Sequence, residues 1–381
     1  MKIVADENIP FVKDCFSSIG EVLTVGGRAI TPAVVRDADV LLVRSITLVD
    51  EALLAKSAVQ FVATATIGME HVDQEYLASA GVGFASAPGS NSNSVAEYVV
   101  AALLALGRKH RVDLAGRRIG VVGVGNVGSK VVKKAQALGM TCVLNDPPLA
   151  RQTGDAKYRP LEEVYGCDFV TMHTPLTRDG ADRTYHLADE VFFGSLKDGC
   201  FFINTSRGAV ADTAALKRAI AGGRLGGAVL DVWENEPNID GELIRKVDLS
   251  TPHIAGYSFD GKVLGLIMIY RAVCEHFGLE ARHDVGDFLP APPVPVIHIE
   301  RLAADEQAVI HDVVQQVYVI NRDDFNTREI LLVPQEERGR FFDDLRKNYP
   351  VRREFQNTTV LGADAGGALG RKLAGIGFKV G

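Results

Sequence analysis

A glycine-rich turn, Gly123-Val124-Gly125-Asn126-Val127-Gly128, is the feature that most restricts what this chain can fold into. A short apolar run, residues 118–122, precedes it, and a helical pattern over residues 129–139 follows. In such a unit the first glycine permits a tight turn, the second lets backbone N–H groups approach a pyrophosphate, and the third allows close helix packing. The sequence therefore predicts a parallel α/β domain that binds a dinucleotide, through Gly123, Gly125, Asn126, Val127 and Gly128.

The next apolar run, residues 140–144, ends at Asn145-Asp146, 18 residues beyond Gly128. The Asp146 carboxylate can accept hydrogen bonds from the adenine-side ribose of NAD and would repel the extra phosphate of NADP. We therefore predict NAD as the cofactor. The alternative, a glycine turn and a surface acid without a ligand, does not explain why strand, turn, helix, strand and acid occur together.

Three polar residues further along the chain have the chemistry needed to oxidise a 2-hydroxy acid: Arg207, Glu236 and His253. All three fall in loops after successive predicted strands, where ligands of open α/β sheets bind. The Arg207 guanidinium can hold a carboxylate and polarise the C2 oxygen. A neutral His253 can accept the hydroxyl proton, and Glu236 would orient its ring.

Each of these residues, taken singly, has a simpler interpretation: a surface arginine, a loop-capping glutamate and a structural histidine. The hypothesis depends on their occurring together. His173 also follows a predicted strand, but its setting in His173-Thr174-Pro175 suits a loop beside the cofactor better than a catalytic base. Other histidines that compete for the role are His71, His186 and His298.

Alternating strand and helix patterns predict the fold class: two Rossmann-like, doubly wound parallel-sheet domains around a cleft, plus a C-terminal α+β dimerisation domain. The substrate-binding domain is expected over residues 1–95 and 258–285, the NAD-binding domain over 96–257, and a linker with the C-terminal domain over 286–381. Predicted strands lie at residues 2–5, 40–43, 61–65, 83–85, 118–122, 140–144, 169–172, 201–203, 228–230, 330–333 and 358–361. Predicted helices lie at residues 94–106, 129–139, 261–277, 304–319 and 338–347.

Composition narrows the expected partners. The formal net charge of -7 gives no general attraction to nucleic acid or an acidic membrane. Five scattered cysteines without a CxxC pair suggest neither a metal site nor a disulfide framework. The N-terminus reaches Asp6 too early for a signal peptide, and no apolar stretch is long enough to cross a bilayer, so the cytoplasm is the expected location.

Over residues 1–285 the chain resembles the D-isomer-specific 2-hydroxyacid dehydrogenase family, through the motifs GVGNVG, HTPLT, NTSRGAVAD, DVWENEP and TPHIAG. The resemblance implies the same roles for Arg207, Glu236 and His253. It also implies further cofactor contacts, at Asp146, Thr174, Ser206, Arg207, Gly208, Asp231 and Gly256.

Four segments, ADENIP, VRSIT, ATIG and PGSNSNS, together with the C-terminal domain, are similar to family members that oxidise a phosphorylated four-carbon 2-hydroxy acid as homodimers. Hydroxyls and a guanidinium are groups that bind a phosphate dianion. Ser45 and Thr66 each follow a predicted strand of the first domain, with turn capping as the alternative role. The expected substrate-binding residues are Arg44, Ser45, Thr66 and Tyr257. Met69 stands where many relatives carry a small or acidic residue.

Two alternatives stay open. The same mechanism can act on another acid, of the 3-phosphoglycerate or glyoxylate type, because the first domain selects the substrate. An NAD(H)-sensing, corepressor-like protein would keep the fold and the three polar residues, but this chain has an extra C-terminal domain and lacks a long disordered tail.

Overall fold

The computed structural model describes residues 1–299 and 305–381. Its strands, in chain order, are β1 (Lys2–Asp6), β2 (Glu21–Val25), β3 (Val40–Val43), β4 (Phe61–Thr64), β5 (Gly83–Ala85), β6 (Arg118–Val122), β7 (Thr141–Asn145), β8 (Phe169–Met172), β9 (Cys200–Asn204), β10 (Leu225–Leu230), β11 (Leu249–Ser250), β12 (Val296–His298), β13 (Thr359–Leu361) and β14 (Lys379–Val380). All of the strand pairs are parallel.

The α-helices, in chain order, are α1 (Val12–Phe16), α2 (Pro32–Val35), α3 (Glu51–Leu54), α4 (Gln74–Ser79), α5 (Ser92–His110), α6 (Asn126–Ala137), α7 (Pro147–Thr153), α8 (Leu161–Val164), α9 (Glu190–Ser195), α10 (Thr213–Ala221), α11 (Gly241–Lys246), α12 (Phe259–His276), α13 (Glu306–Val317), α14 (Ile320–Arg328), α15 (Arg338–Lys347) and α16 (Ala368–Ile376). Within the ranges that the structure describes, no helix combines the length and the apolar character needed to cross a membrane.

The first compact unit consists of residues 1–91 and 258–291. Its sheet has the order β2-β1-β3-β4-β5. Strand residues alternate between two apolar cores: Ile3 packs with α1 and α12, whereas Val4 packs with the face that contains α2, α3 and α4. Helices on both faces explain why the central strands are continuously apolar rather than alternating.

The second compact unit consists of residues 92–257 and 292–381. Its main sheet has the order β11-β10-β9-β8-β6-β7, and a small sheet has the order β12-β13-β14. The chain passes from β6 to β7 on one side and then to β8 on the other. This reversal makes the carboxyl ends of β6 and β8 the switch point at which open α/β sheets bind ligands.

The C-terminal segment, residues 292–381, adds to the core on both faces of the main sheet. On one face α13 and α16 contact α5 and α6, and Val314 and Leu373 join the same apolar core as Leu103. On the other face Ile330 and Phe342 pack in the core that holds Trp233. The segment is therefore built into the second unit of this structure.

Buried charged side chains of α5 and α6 also form hydrogen bonds with the C-terminal segment. Glu97 on α5 accepts hydrogen bonds from the Phe355 backbone N–H at 3.1 Å and lies 3.8 Å from Lys134 Nζ on α6. Lys134 donates in turn to the Ile376 carbonyl. Burial raises the pKa of Glu97, and the charge of Lys134 opposes that rise and favours the carboxylate. Arg352 donates to the Ala255 carbonyl at 2.5 Å.

The structure confirms the predicted parallel α/β class, because both main sheets are parallel and helices cover both of their faces. The dimerisation role of the C-terminal segment stays a prediction. The predicted strand at residues 330–333 is wrong: Glu329–Leu332 is a 3₁₀ turn that buries Ile330 and leaves Leu332 84% exposed. The edge strand β2 was not predicted. The helix predicted over 304–319 spans Glu306–Val317, and its first expected residue lies outside the described residues.

The predicted division into three domains, at 95/96, 257/258 and 285/286, stays a prediction. The structure forms two compact units, and residues 292–381 group with the second of them.

We expect Lys134→Met to destabilise the protein by about 3 kcal/mol, because Glu97 would remain buried without its cationic partner. The measurement is the free energy of unfolding in urea. Lys133→Met, at an exposed position of the same helix, is the matched control and should change stability by less than about 0.5 kcal/mol. Equal stability of the two variants would show that this buried pair does not hold the C-terminal segment in place.

Candidate active site

The glycine turn joins β6 to α6 at the switch point of the second unit. Gly123 has φ 85°, and a Cβ there would lie 2.8 Å from the carbonyl carbon of His173. A Cβ at Gly128 would lie 2.0 Å from the Gly123 carbonyl oxygen, so packing requires glycine at both positions. A Cβ at Gly125 would meet nothing within 4 Å. The open side at Gly125 therefore fits the close approach of a pyrophosphate, beside Asn126 and Val127 in the first turn of α6.

Asp146 lies directly after β7 and caps α7. Its Oδ1 accepts a hydrogen bond from the Leu149 N–H at 3.0 Å, and its Oδ2 accepts one from the Val124 N–H at 2.8 Å. The carboxylate thus connects the glycine turn to the next helix, a role that the sequence did not suggest. Each oxygen can still accept one more hydrogen bond, as a ribose hydroxyl requires.

The loop after β8 holds a buried histidine next to a hydroxyl without a partner. His173 Nε2 lies 2.9 Å from Thr171 Oγ1, and Nδ1 lies 3.1 Å from Thr205 Oγ1. Burial lowers the pKa of His173 to about 3, so the ring is neutral at physiological pH. Thr174 Oγ1 is buried and has no hydrogen-bond partner among the described residues. An orphaned polar atom at this position fits a cofactor that would supply the missing partner.

Arg207 lies in the loop after β9, and the preceding asparagine shapes that loop. Asn204 Oδ1 accepts hydrogen bonds from the Ser206 N–H at 3.0 Å and its hydroxyl at 2.8 Å, while Asn204 Nδ2 donates to the Arg207 carbonyl at 3.1 Å. The Arg207 guanidinium donates to the Ser206 carbonyl at 2.9 Å and is half-buried. A Cβ at Gly208 would lie 1.9 Å from the carbonyl carbon of Trp233. Only glycine allows this loop to lie directly against the Trp233 loop.

Glu236 and His253 form a hydrogen-bonded pair. His253 Nδ1 lies 2.7 Å from Glu236 Oε2, and Glu236 Oε1 accepts a hydrogen bond from the Trp233 N–H at 2.8 Å. Burial alone would raise the pKa of Glu236, but the charge and hydrogen bond of His253, the Trp233 N–H and the charge of Arg346 hold it below its usual value. With Nδ1 engaged, Nε2 of His253 is the ring nitrogen that remains for a substrate proton.

The loop that carries His253 is held by a buried carboxylate. Asp231 is 1% exposed, and it accepts hydrogen bonds from the Thr251 hydroxyl at 2.7 Å and from the backbone N–H groups of Ile254 at 2.8 Å and Ala255 at 3.0 Å. His253 itself has φ 57°, a conformation that non-glycine residues rarely adopt. In this structure Asp231 positions the loop, and its direct contact with the cofactor stays a prediction.

Gly256 and Tyr257 follow in a turn that the Tyr257 N–H closes by donating to the Ile254 carbonyl at 2.9 Å. The Tyr257 ring meets the ring of Tyr349 edge-on, with centroids 5.9 Å apart. The guanidinium carbon of Arg346 lies 5.8 Å from the Tyr257 ring centroid. Both partners belong to the C-terminal segment, and nothing in the sequence near Arg346 signals a place beside the predicted site.

The remaining predicted substrate residues belong to the first unit, after the neighbouring strands β3 and β4. Arg44 Nη1 donates to the Asn8 carbonyl at 3.3 Å, and Ser45 is exposed. Thr66 Oγ1 lies 2.7 Å from Thr64 Oγ1 and donates to the Gly68 carbonyl at 3.0 Å. Thr66 therefore takes part in loop closure, and its contact with substrate stays a prediction, as do those of Arg44 and Ser45.

No cluster of His, Cys, Asp and Glu side chains that could hold a metal ion occurs within residues 1–299 and 305–381. The five cysteines are free thiols. Burial raises the pKa of Cys142 and Cys167 to about 11 and of Cys15 and Cys200 to about 12, so these thiols stay protonated.

Two protein-family models match this chain, one over the second unit and one over the C-terminal segment. The NAD-binding domain of the D-isomer specific 2-hydroxyacid dehydrogenases matches residues 99–255, and a domain of unknown function matches residues 288–377. The erythronate-4-phosphate dehydrogenase of Escherichia coli O6:K15:H31 (strain 536 / UPEC) is 44% identical over 380 residues, which cover 100% of this chain and 98% of the relative.

Solved structures share the fold. The TT0316 protein of Thermus thermophilus is 26% identical with a TM-score of 0.65. The match covers 74% of this chain and 99% of the TT0316 chain. The Aquifex aeolicus D-lactate dehydrogenase, solved with NAD and lactic acid, is 24% identical with a TM-score of 0.59. The match covers 73% of this chain and 96% of the dehydrogenase chain. Full-length similarity and the site geometry agree: the chain belongs to the D-isomer specific 2-hydroxyacid dehydrogenases and is an NAD-dependent enzyme.

Proposed function

We propose that the enzyme oxidises 4-phospho-D-erythronate to 2-oxo-3-hydroxy-4-phosphobutanoate with NAD, as a step in the synthesis of pyridoxal 5′-phosphate in the cytoplasm. The 44% identity to an erythronate-4-phosphate dehydrogenase along the whole chain supports this substrate. The observation that carries the proposed chemistry is the hydrogen bond of 2.7 Å between His253 Nδ1 and Glu236 Oε2. It leaves one ring nitrogen of a fixed imidazole to take a proton.

In this proposal His253 is the general base. Its Nε2 accepts the proton of the C2 hydroxyl, and the ring becomes an imidazolium. The ionised Glu236 stabilises that positive charge and keeps the ring in one orientation. The Trp233 N–H in turn fixes the carboxylate. NAD, when bound, supplies the acceptor for the hydride that leaves C2.

Arg207 binds the substrate carboxylate and polarises the C2 oxygen. A guanidinium suits both tasks because its planar donors match the geometry of a carboxylate. The hydrogen bonds of Asn204 and the close packing of Gly208 hold the loop around it.

The cofactor would lie along the switch point of the main sheet. Gly123, Gly125, Asn126, Val127 and Gly128 would bind the pyrophosphate, and Asp146 the adenine-side ribose. Further contacts are proposed for Thr174, Ser206, Arg207, Gly208, Asp231 and Gly256. The buried Thr174 hydroxyl, which has no hydrogen-bond partner in the described part of the chain, supports this placement.

We also propose that the enzyme is a homodimer through its C-terminal segment. Two large apolar side chains there are exposed to solvent, Phe325 at 64% and Leu332 at 84%. Such side chains are typical of the buried centre of a subunit interface. Because the segment shares a core with the second unit, point substitutions test this interface more cleanly than a deletion.

We expect Arg207→Ala and His253→Ala each to lower kcat/KM for 4-phospho-D-erythronate by roughly 1,000-fold, because each removes a group that acts on the reacting carbon. NADH should still bind, which quenching of Trp233, the one tryptophan of the chain, can report. The exposed His298 is the control: His298→Ala should keep full activity. Near-normal turnover by either variant would remove that residue from the mechanism.

We expect Asp146→Asn to reduce the preference for NAD over NADP by about tenfold or more, since the charge that repels the extra phosphate is lost. The ratio of kcat/KM for the two cofactors is the measurement. Asp155→Asn, at an exposed position, should leave the ratio unchanged. Thermal unfolding separates this effect from the loss of a helix cap. An unchanged ratio in a folded Asp146→Asn variant would place cofactor choice elsewhere.

We expect Phe325→Asp and Leu332→Asp to convert dimers to monomers, because a charge in an apolar interface is costly to desolvate. Sedimentation velocity provides the measurement. Val191→Asp carries the same change at a side chain that is 72% exposed on α9 and should leave the dimer intact. A dimer that persists in both variants would reject the assigned surface, and a monomeric wild-type protein would reject the dimer itself.

A further inference from the structure

The C-terminal segment brings an arginine to the loop that carries the proposed base. Arg346 is in the last turn of α15. Residues of α15 and the loop after it line one cavity together with Pro252, the residue before His253. The Arg346 guanidinium carbon lies 5.8 Å from the Tyr257 ring centroid and 5.9 Å from that of Phe342. The side chain therefore extends along two aromatic rings towards Tyr257.

Three groups interact electrostatically with Arg346: Tyr257, Glu236 and Asp343. Asp343 Oδ1 lies 4.0 Å from Arg346 Nη1, at the limit of an ion pair. Glu236 acts on Arg346 electrostatically, but its oxygens already accept from His253 and the Trp233 N–H. Arg346 Nε is buried without a hydrogen-bond partner among the described residues, while the side chain as a whole is 24% exposed. A partly exposed guanidinium side chain with a donor that has no partner among the described residues is suited to bind an anion.

Other arginines of the segment are already engaged or lie elsewhere. Arg352 is buried at 6% exposure, donates to the Ala255 carbonyl and has its guanidinium carbon 4.3 Å from the Tyr318 ring centroid, although its Nη1 has no hydrogen-bond partner among the described residues. Arg338 donates to the Val333 carbonyl, and Arg340 is 85% exposed beside Asp344. Among these residues, Arg346 is the cation placed next to Tyr257.

The proposed substrate has two anionic ends, and Arg207 accounts for one of them. The carboxylate is bonded to C2, whereas the phosphate is carried on C4, two carbons beyond the reacting carbon. A phosphate dianion is bound best by a guanidinium with a nearby hydroxyl donor. Arg346 and Tyr257 are such a pair, and the guanidinium is within hydrogen-bonding reach of the Tyr257 hydroxyl.

A solved lactate enzyme and the full-length relative differ in how much of this chain they match. The D-lactate dehydrogenase of Aquifex aeolicus covers 73% of this chain, whereas the E. coli erythronate-4-phosphate dehydrogenase covers all of it. Residues 292–381 are 90 of 381 residues, about 24% of the chain, and the match to the lactate enzyme leaves about 27% of the chain uncovered. Lactate carries no phosphate, so an enzyme for it needs no second cation.

We propose that Arg346, together with the Tyr257 hydroxyl, binds the phosphate of the substrate, so that the domain of unknown function supplies the residue that selects a phosphorylated 2-hydroxy acid. This inference rests on the proposed function. It gives the C-terminal segment a role in specificity in addition to assembly.

The test compares two substrates that differ only in the phosphate, 4-phospho-D-erythronate and D-erythronate, at saturating NAD. Arg346→Gln should lower kcat/KM for the phosphorylated acid by roughly 10- to 100-fold, mostly through KM, because a charge-assisted hydrogen bond is lost. For D-erythronate the change should stay below about threefold. Arg346→Lys should keep part of the preference, and Arg340→Gln, on the same helix, should match the wild type. Equal losses on both substrates would overturn the proposal and make Arg346 a positioning residue for Glu236.

A binding measurement separates this inference from the proposed function. If the wild-type enzyme oxidises neither acid, the proposed substrate is wrong, and the phosphate site is then tested alone. Inorganic phosphate is titrated into the NADH complex of the full-length protein by calorimetry. Binding by the wild type that weakens at least about tenfold in Arg346→Gln supports the site. Absent binding, or equal binding by both proteins, overturns it.

Discussion

The buried carboxylate of Asp231 is the group on which the geometry of the site depends. It accepts hydrogen bonds from the Thr251 hydroxyl and from two backbone N–H groups of the loop that carries His253. The Thr251 carbonyl then accepts the indole N–H of Trp233 at 2.9 Å, and the Trp233 backbone N–H holds Glu236. One carboxylate therefore connects the base to the residue that orients it. Hydrogen bonds to a charged group contribute about 1.5–3 kcal/mol each, enough to hold His253 in its left-handed conformation.

The C-terminal segment is a structural part of the second unit and also borders the site. Its helices complete apolar cores on both faces of the main sheet. Its backbone at Phe355 and Ile376 forms hydrogen bonds with the buried Glu97 of α5 and Lys134 of α6. From this attachment Tyr349 and Arg346 reach Tyr257. An added domain can thus alter specificity without any change in the acid–base pair, because it adds charge beside a site whose catalytic geometry is set by other strands and loops.

Much of the fold could be predicted because parallel strands covered on both faces must be continuously apolar, and β3, β6 and β8 match their predicted bounds. The strand β2 was not predicted because it lies at a sheet edge, where Glu21 and Leu23 are exposed and the apolar run is interrupted. The apolar run at 330–333 led to a wrong strand prediction, because in the structure Ile330 is buried while Leu332 is exposed to solvent. The place of Arg346 depends on a contact between residues 89 positions apart in sequence, Tyr257 and Arg346, and no local pattern encodes it.

The central claim is that this enzyme oxidises C2 of a phosphorylated four-carbon acid. The most direct measurement is incubation of the purified protein with 4-phospho-D-erythronate and NAD, with a 2-oxo acid added to reoxidise bound NADH, followed by detection of the 2-oxo product. We expect product from this acid and none from 3-phosphoglycerate. Binding of NADH without product from any 2-hydroxy acid would contradict it and favour an NAD(H)-sensing protein.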